Sequence, residues 1–461
     1  MTKRHNILTG QLLCMAGILF LTLAVAEADL AVPSTKERWS MPYFSFGVKN
    51  VAAAEDAFLV RVAHRLSARI ARRVGTSPPI SVLVTALQEQ RTLLTRHTTV
   101  TLQIPGNQSY RTWDVHLQKY PTWMKAEISP ASAHFRVDEE RIAQFLTTEP
   151  MDGIIQPQQA VITAVTKEDD VERVVTSTGA ARRGIIFDMS VAPRAIAAAL
   201  TEGTETVAIP LVITSGPVEN LSGVPLGDLV LLGSGKSDFK GSPSARIYNV
   251  RKAIHEHVNN VLVPPGAEFS FNETLGGPVS NGNGWKDAKV IFNTTELRMA
   301  PGGGICQAST TVFRAILQSG FGYERRANHS MYVSYYEKYG VGIDATVFPG
   351  KQDLTFVNDT ANYLLFQAYT EGSEVTVQIY GTPDGRTSEV IGPFFSSSDF
   401  TDYPAEERTP RGNEIAWVQR ITFADGREKK RVITSRYTSL PRSLAKKYET
   451  AVHASAEQKA M

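Results

Sequence analysis

Cys306, His329 and Asp344 are the residues of this chain whose types and order fit nucleophilic chemistry. The cysteine sits in the run Gly302-Gly303-Gly304-Ile305-Cys306-Gln307-Ala308-Ser309-Thr310-Thr311. Its glycines permit a sharp turn, and the residues after them begin a helical pattern. Ala308, Val312, Ala315, Ile316 and Ser319 recur on or near one face of that helix, which should stop at Gly320. A thiol at a helix N-terminus lies in positive potential, which favours the thiolate. His329 follows 23 residues later and can take the thiol proton; Asp344 follows 15 after that and can orient the imidazole. A thiolate so formed attacks an acyl carbon. Gln307, or backbone N–H groups at the helix start, can then stabilise the oxyanion.

Three elements must position these groups. The helix after the glycines carries Cys306. The segment Met331-Tyr332-Val333-Ser334-Tyr335-Tyr336 reads as a strand with His329 at its start, and the Gly340-Val341-Gly342 turn leads to a neighbouring strand carrying Asp344. The same residues also fit a structural set: a cysteine packed as a small hydrophobe, a hydrogen-bonded histidine, and a carboxylate capping a turn. His255 and His257 lie two apart without CxxC or HExxH spacing, so no metal site is expected. The glycine run lacks the lysine of a P-loop. No cofactor is expected.

The 461 residues exceed what one core usually serves, so two or three domains are expected. A composition 42% hydrophobic and 20% charged is that of a folded protein. The 48 basic and 46 acidic side chains leave a net charge of +2, which gives no electrostatic footprint for nucleic acid. Residues 1–26 run from Lys3 and Arg4 through an apolar stretch to Ala24-Val25-Ala26. They read as an export signal, either cleaved after Ala26 or retained as a membrane anchor. Export would place the protein in the extracytoplasmic envelope. Cys14 lies within that stretch without lipoprotein spacing, so cleavage would leave Cys306 as the only thiol.

The fold class expected is α+β, multi-domain. Ala54 to Val74 reads as a basic amphipathic helix with Leu59, Val62, Leu66 and Ile70 on one face, suited to a protein core or an anionic membrane surface. Thr98 to Ile104 alternates as a strand before a turn at Pro105-Gly106-Asn107. Short strand, helix and strand patterns follow. One is Trp123 to Ile128 with Glu139 to Leu146; another is Gly184 to Asp188, Ala192 to Leu200 and Thr206 to Ile213. Pro193 suits the first turn of its helix and Gly203 its stop. The Gly/Ser-rich stretch from Gly233 to Pro243 reads as the clearest domain boundary. The chain after Gly381 reads as a β-rich tail in which Ala416 to Phe423 and Arg431 to Ser435 form a hairpin around Asp425-Gly426.

Six blocks between Arg246 and Tyr380 occur in order: Ile247 to Ile254, Val263 to Asn272, the Gly302 to Thr311 run, Arg325 to Ser330, Gly342 to Thr346 and Asp353 to Asn358. Together they resemble the VanW domain, here spanning 244–382 as a mixed α/β domain. That family is named after an accessory product of a vancomycin-resistance cluster, which implies the bacterial cell envelope. Weaker patterns from Leu117 to Val218, such as Phe187-Asp188 and Val207-Ala208-Ile209-Pro210, resemble the peptidoglycan-binding domain often found ahead of it. They make 41–232 a peptidoglycan-binding α+β region and leave 383–461 as the tail. Trp113, Tyr120, Trp123 and Phe135 would either stack on sugars there or form core. The order of cysteine, histidine and aspartate is similar to that of transglutaminase-like and papain-fold enzymes. The resemblance implies peptidoglycan or its stem peptides as partner; read from their own chemistry, Gln307, Ser309, Arg325, Arg326 and Tyr335 are the candidate substrate contacts. It leaves two functions open: cysteine-dependent acyl or peptide chemistry by Cys306, His329 and Asp344, or a non-catalytic wall-binding or scaffolding role.

Overall fold

The computed structural model describes residues 51–105, 108–168, 171–292 and 296–448. Residues 1–26, expected to be an export signal, lie outside these residues, as do Gly106 and Asn107 of the turn expected after Ile104. The described chain forms two compact units, one of residues up to 156 with 184–214, the other of 157–183 with 215 onward. Both helices and strands build it, as an α+β chain should.

In the first unit, the helix Val51–Val74 pairs with Ile80–Leu94. Its apolar stripe, Leu59, Val62, Leu66 and Ile70, packs with Leu83, Leu87 and Ala133, so that face is spent on a protein core. A four-stranded sheet runs in the order Gln108–His116, His97–Ile104, Thr206–Thr214, Gly184–Phe187. Only the central pair is parallel. The helices Glu139–Thr148 and Ala192–Glu202 bury Ile142, Ile196 and Leu200 with Val100, Leu102 and Ile209 of the sheet. Asp138 caps the first helix by accepting from the Glu140 N–H at 3.0 Å. The second carries Pro193 in its first turn and ends at Gly203 in the left-handed region. Trp123 is fully buried, stacked on Tyr120 at 4.4 Å and edge-on to Trp113 at 6.1 Å, so these rings are largely spent on one another.

In the second unit, an antiparallel sheet runs in the order Val230–Asp238, Glu374–Gly381, Leu364–Glu371, Leu262–Val263. Against it lies the helix Ile305–Gln318, in which every residue but Cys306 and Gln318 is buried. A helix enclosed on every side buries polar residues too, here Gln307, Ser309, Thr310, Thr311 and Arg314, each of which is hydrogen-bonded. Ala308, Val312, Phe313 and Ile316 accordingly sit in one core with Val250, Ile254, Phe269, Phe356, Phe366 and Val377.

The Gly/Ser-rich stretch beginning at Gly233 is therefore no linker through Asp238. It is a strand whose small residues let the backbone lie directly on the helix. A Cβ at Gly235 would fall 2.1 Å from the Thr311 carbonyl oxygen and 2.5 Å from the Ala315 nitrogen. Glycine composition signals a loop only where the backbone is solvated; here it signals close approach.

Two further antiparallel pairs, Asp287–Phe292 with Glu296–Pro301 and Glu268–Ser270 with Thr355–Val357, flank the helix start and the core. The tail hairpin expected around Asp425-Gly426 forms from Glu414–Thr422 and Glu428–Arg436, and Thr387–Phe394 completes a three-stranded sheet. A third sheet joins Gln158–Glu168, Val171–Arg182 and Val218–Asn220. Among the described residues, no helix is long and apolar enough to cross a membrane.

Candidate functional site

The glycine run sets the cysteine in place. Gly304 caps the helix with φ of +116°, a conformation that L side chains rarely adopt. A Cβ at Gly303 would meet the backbone of Ala288 at 2.7 Å. The loop is held by Asn249, whose fully buried side chain donates to the carbonyls of Gly303 at 3.0 Å and Lys286 at 2.7 Å and accepts from the Lys286 N–H at 2.9 Å. Cys306 thus lies in the first helical turn, partly exposed. The helix-start amides of Ile305 and Gln307 are bonded to the carbonyls of Gly302 and Gly304. Helix geometry leaves the Cys306 N–H without an intrahelical acceptor.

His329 and Asp344 are both buried, at 7% and 2% exposure, and they meet. Asp344 Oδ2 lies 2.5 Å from His329 Nδ1 and also accepts from the His329 backbone N–H at 2.8 Å. The imidazole also acts on the Cys306 thiol electrostatically, and with Nδ1 taken by Asp344 its Nε2 is the ring nitrogen left for sulfur. Sγ of Cys306 is also 3.5 Å from Thr346 Oγ1 and 3.5 Å from the Val347 carbonyl oxygen. The three residues that the sequence singled out come together in one site, His329 and Asp344 by direct hydrogen bonds and Cys306 through its electrostatic coupling to His329.

The elements that carry them differ from expectation. Met331 to Tyr336 is not a strand: Ser334–Tyr339 is a run of 3-10 turns, and neither His329 nor Asp344 lies in a named strand. One bridge, Ala327 to Thr346, aligns the two segments, with the Thr346 N–H 2.8 Å from the Ala327 carbonyl oxygen. Arg314 holds the irregular chain between them. Its buried guanidinium donates to the carbonyls of Tyr336 (2.9 Å), Gly340 (2.7 Å), Ile343 (3.1 Å) and Lys236 (2.7 Å). These bonds satisfy the carbonyls of a segment that pairs in no ladder. From the same helix, Ser309 donates to the Ala345 carbonyl at 2.7 Å and Thr310 accepts from the Ala345 N–H at 3.1 Å. The cysteine helix thereby grips the backbone that carries Asp344.

Burial disfavours ionisation of Cys306, but the hydrogen bond and charge of His329, helped by Thr346 and the Val347 carbonyl, outweigh it and bring the thiol down to about 7. Burial likewise disfavours the imidazolium, yet its bonds to Asp344 and to Cys306 raise His329 to about 10. Burial would protonate Asp344, but His329 and then Arg326 hold its carboxyl below the usual range. These shifts favour a thiolate and imidazolium pair near neutral pH.

The expected contact residues divide. Gln307 is fully buried and its amide donates to Ser237 Oγ at 3.0 Å, away from a reacting carbonyl. Ser309 positions Ala345. Arg326 is spent inside the protein, donating to the Asp344 carbonyl at 2.7 Å, to Ser435 Oγ at 2.6 Å and to the Thr434 carbonyl at 3.2 Å, with its guanidinium 5.1 Å from the centre of the Phe313 ring. Arg325 is 63% exposed, with a loose 3.4 Å ion pair to Glu268. Tyr335 is half-exposed under the Arg246 guanidinium at 4.5 Å. It lines an open groove of about 610 Å³ with Asp238, Lys240, Lys338, Lys447 and Tyr448. Asn249, Arg314, Thr346 and Tyr437 were not singled out from the sequence. Only Asn249 carried a signal, a polar residue amid the apolar positions of the Ile247 to Ile254 block. Among the described residues, no group of three His, Cys, Asp or Glu is arranged to hold a metal.

Residues 245–380 match the family model described as VanW like protein. A curated relative, the uncharacterized protein YoaR of Bacillus subtilis (strain 168), is 34% identical over 154 residues, covering 33% of this chain and 48% of the relative. The chain thus spans about half the length of that relative. No solved structure matches.

Proposed function

Residues 245–380 being a VanW-like domain, we propose that the chain is an exported cell-envelope protein that performs cysteine-dependent acyl chemistry on peptidoglycan stem peptides. The observation that carries this reading is the meeting of Cys306 with the His329–Asp344 pair, the carboxylate buried, the thiol at a helix start and brought to about 7 by His329. The order of cysteine at a helix start, then histidine, then aspartate parallels papain-like and transglutaminase-like enzymes. The signal-like segment 1–26 and the family's tie to the envelope support that location. The unit ahead of the VanW-like domain would contribute peptidoglycan binding.

The thiolate of Cys306 attacks the carbonyl carbon of a peptide bond, and the oxyanion takes the N–H of Cys306. His329 Nε2–H protonates the leaving amine as the C–N bond breaks, leaving a thioester on sulfur. Water or an acceptor amine then attacks the thioester, gives its proton to His329, and restores the thiolate. Asp344 holds the ring through Nδ1 in both steps. Tyr335 and Arg325 are the exposed groups suited to sugar faces and stem carboxylates.

The second reading is a wall-binding scaffold, favoured by the depth to which His329, Asp344 and Arg326 are built into the domain. Purified peptidoglycan incubated with the wild type and with Cys306→Ala, analysed by mass spectrometry of muropeptides and by pull-down, separates the two. Products formed by the wild type and absent with Cys306→Ala support catalysis. Unchanged muropeptides in both, with pull-down retained, overturn it in favour of the scaffold.

A further inference from the structure

Asp344 has a second oxygen, and what holds it comes from outside the matched segment. Oδ1 accepts from the Tyr437 hydroxyl at 2.5 Å and lies 3.7 Å from Arg326 Nη2, while Oδ2 is left for His329. Tyr437 follows the last tail strand, Glu428–Arg436, and is 3% exposed. Its backbone is fixed on both faces: its N–H donates to the Asn413 carbonyl at 3.0 Å, and its carbonyl accepts from Asn413 Nδ2 at 2.9 Å. Neighbouring bonds tie the same strand end to the site. Ser435 Oγ donates to the Gly342 carbonyl at 2.5 Å, the Thr438 N–H donates to the Ser330 carbonyl at 2.8 Å, and Arg326 reaches Thr434 and Ser435.

We propose that Tyr437 is a positioning residue of the Cys306 site, and that the C-terminal sheet is an integral part of that site rather than an appended tail. The inference rests on the reading of Cys306 as the reacting group. A carboxylate with one oxygen anchored by a buried hydroxyl cannot rotate, so its other oxygen stays on the imidazole. Phenylalanine at position 437 would leave Oδ1 with Arg326 alone at long range. The carboxylate would then turn toward the guanidinium and loosen from His329. The charges and titratable groups around this path are His329, Arg326, Arg314, Tyr336 and Tyr437 about Asp344, and His329 and Tyr336 about Cys306. With the coupling loosened, the imidazolium weakens and the thiol titrates higher.

The test is the pH dependence of alkylation of full-length protein by iodoacetamide. It is read by mass spectrometry on the tryptic peptide Met299 to Arg314, so that Cys14 does not contribute. Tyr437→Phe should move the midpoint up by about one unit, the size expected of one lost charge-assisted bond acting through a neighbour. The high-pH plateau should not fall. In an Asp344→Asn background the same substitution should move nothing further. Trp417→Phe is the structural control, because Trp417 Nε1 donates to the Val341 carbonyl at 2.7 Å without touching Asp344. It should lower the melting temperature and leave the midpoint where it is. A Tyr437→Phe midpoint equal to wild type overturns the proposal, as does a shift that persists undiminished in the Asp344→Asn background. The profile is independent of any wall product. A shifted midpoint with no muropeptide change in the wild type would therefore sustain the positioning role while removing the catalytic reading.

Discussion

Replacing Asp344 by Asn removes the charge that sustains the imidazolium while keeping nearly the same shape. His329 is then a buried ring whose desolvation is no longer opposed by a carboxylate, and it turns neutral in the working range. Cys306 loses its cationic partner, so its thiol should return from about 7 to its ordinary value of 9.0 or above, since burial alone pushes it upward. At pH 7 the thiolate fraction falls from about one half to about one hundredth, a loss of about 50-fold. A more basic thiolate is also the better nucleophile; with a Brønsted slope of about 0.4–0.5, two units restore about eightfold. The net expectation for reaction with an aromatic disulfide reagent is about sixfold slower at pH 7 and about eightfold faster above pH 10. The two rate profiles must therefore cross. The assay is release of the reagent's chromophore between pH 5 and 10.5, with Cys14→Ser in both proteins so that Cys306 is the one thiol. A midpoint that stays near 7 in Asp344→Asn would refute the reasoning, because Asp344 would then not govern the state of His329. Parallel profiles, slower at every pH, would instead mean blocked access and would equally sink it.

The same pair predicts a pH signature in stability. His329, raised to about 10, contributes stability that is complete below its unfolded value near 6.5 and is lost as pH rises through 10. Cys306, lowered to about 7, contributes stability that is present above 9 and lost as pH falls through 7. The two trends oppose each other between pH 7 and 9, so the wild-type melting temperature should be nearly flat there. Cys306→Ala should decline steadily with pH across that window, and a flat profile for this variant in a calorimetric series would contradict the assignment. Arg314→Leu strands four carbonyls and removes the clamp on the 336–343 segment, which should cost about 3–5 kcal/mol. For a unit of this size that is a fall of about 8–15 °C in melting temperature, and a loss of only one or two degrees would show that the clamp is dispensable.

The sequence alone determined the chemistry that is possible and much of the local structure. Residue types and order named Cys306, His329 and Asp344, because a thiol, an imidazole and a carboxylate keep their chemistry wherever they lie. Local physics placed the stop at Gly203, the helix after Gly304 and the hairpin around Gly426, since each depends on a few consecutive residues. Tertiary structure decided the rest. The Gly233 to Asp238 stretch reads as a loop until the close-packed helix beneath it is known. The segments of His329 and Asp344 read as strands until the chain between them is seen held irregularly by Arg314, at the carbonyls of Tyr336, Gly340 and Ile343. Arg326 and Gln307 read as surface contacts until their partners bury them. Tyr437 lies 93 residues from Asp344, and no periodicity or spacing connects them. Such pairings are fixed by which faces the core brings together, and that information exists only once the whole chain has folded.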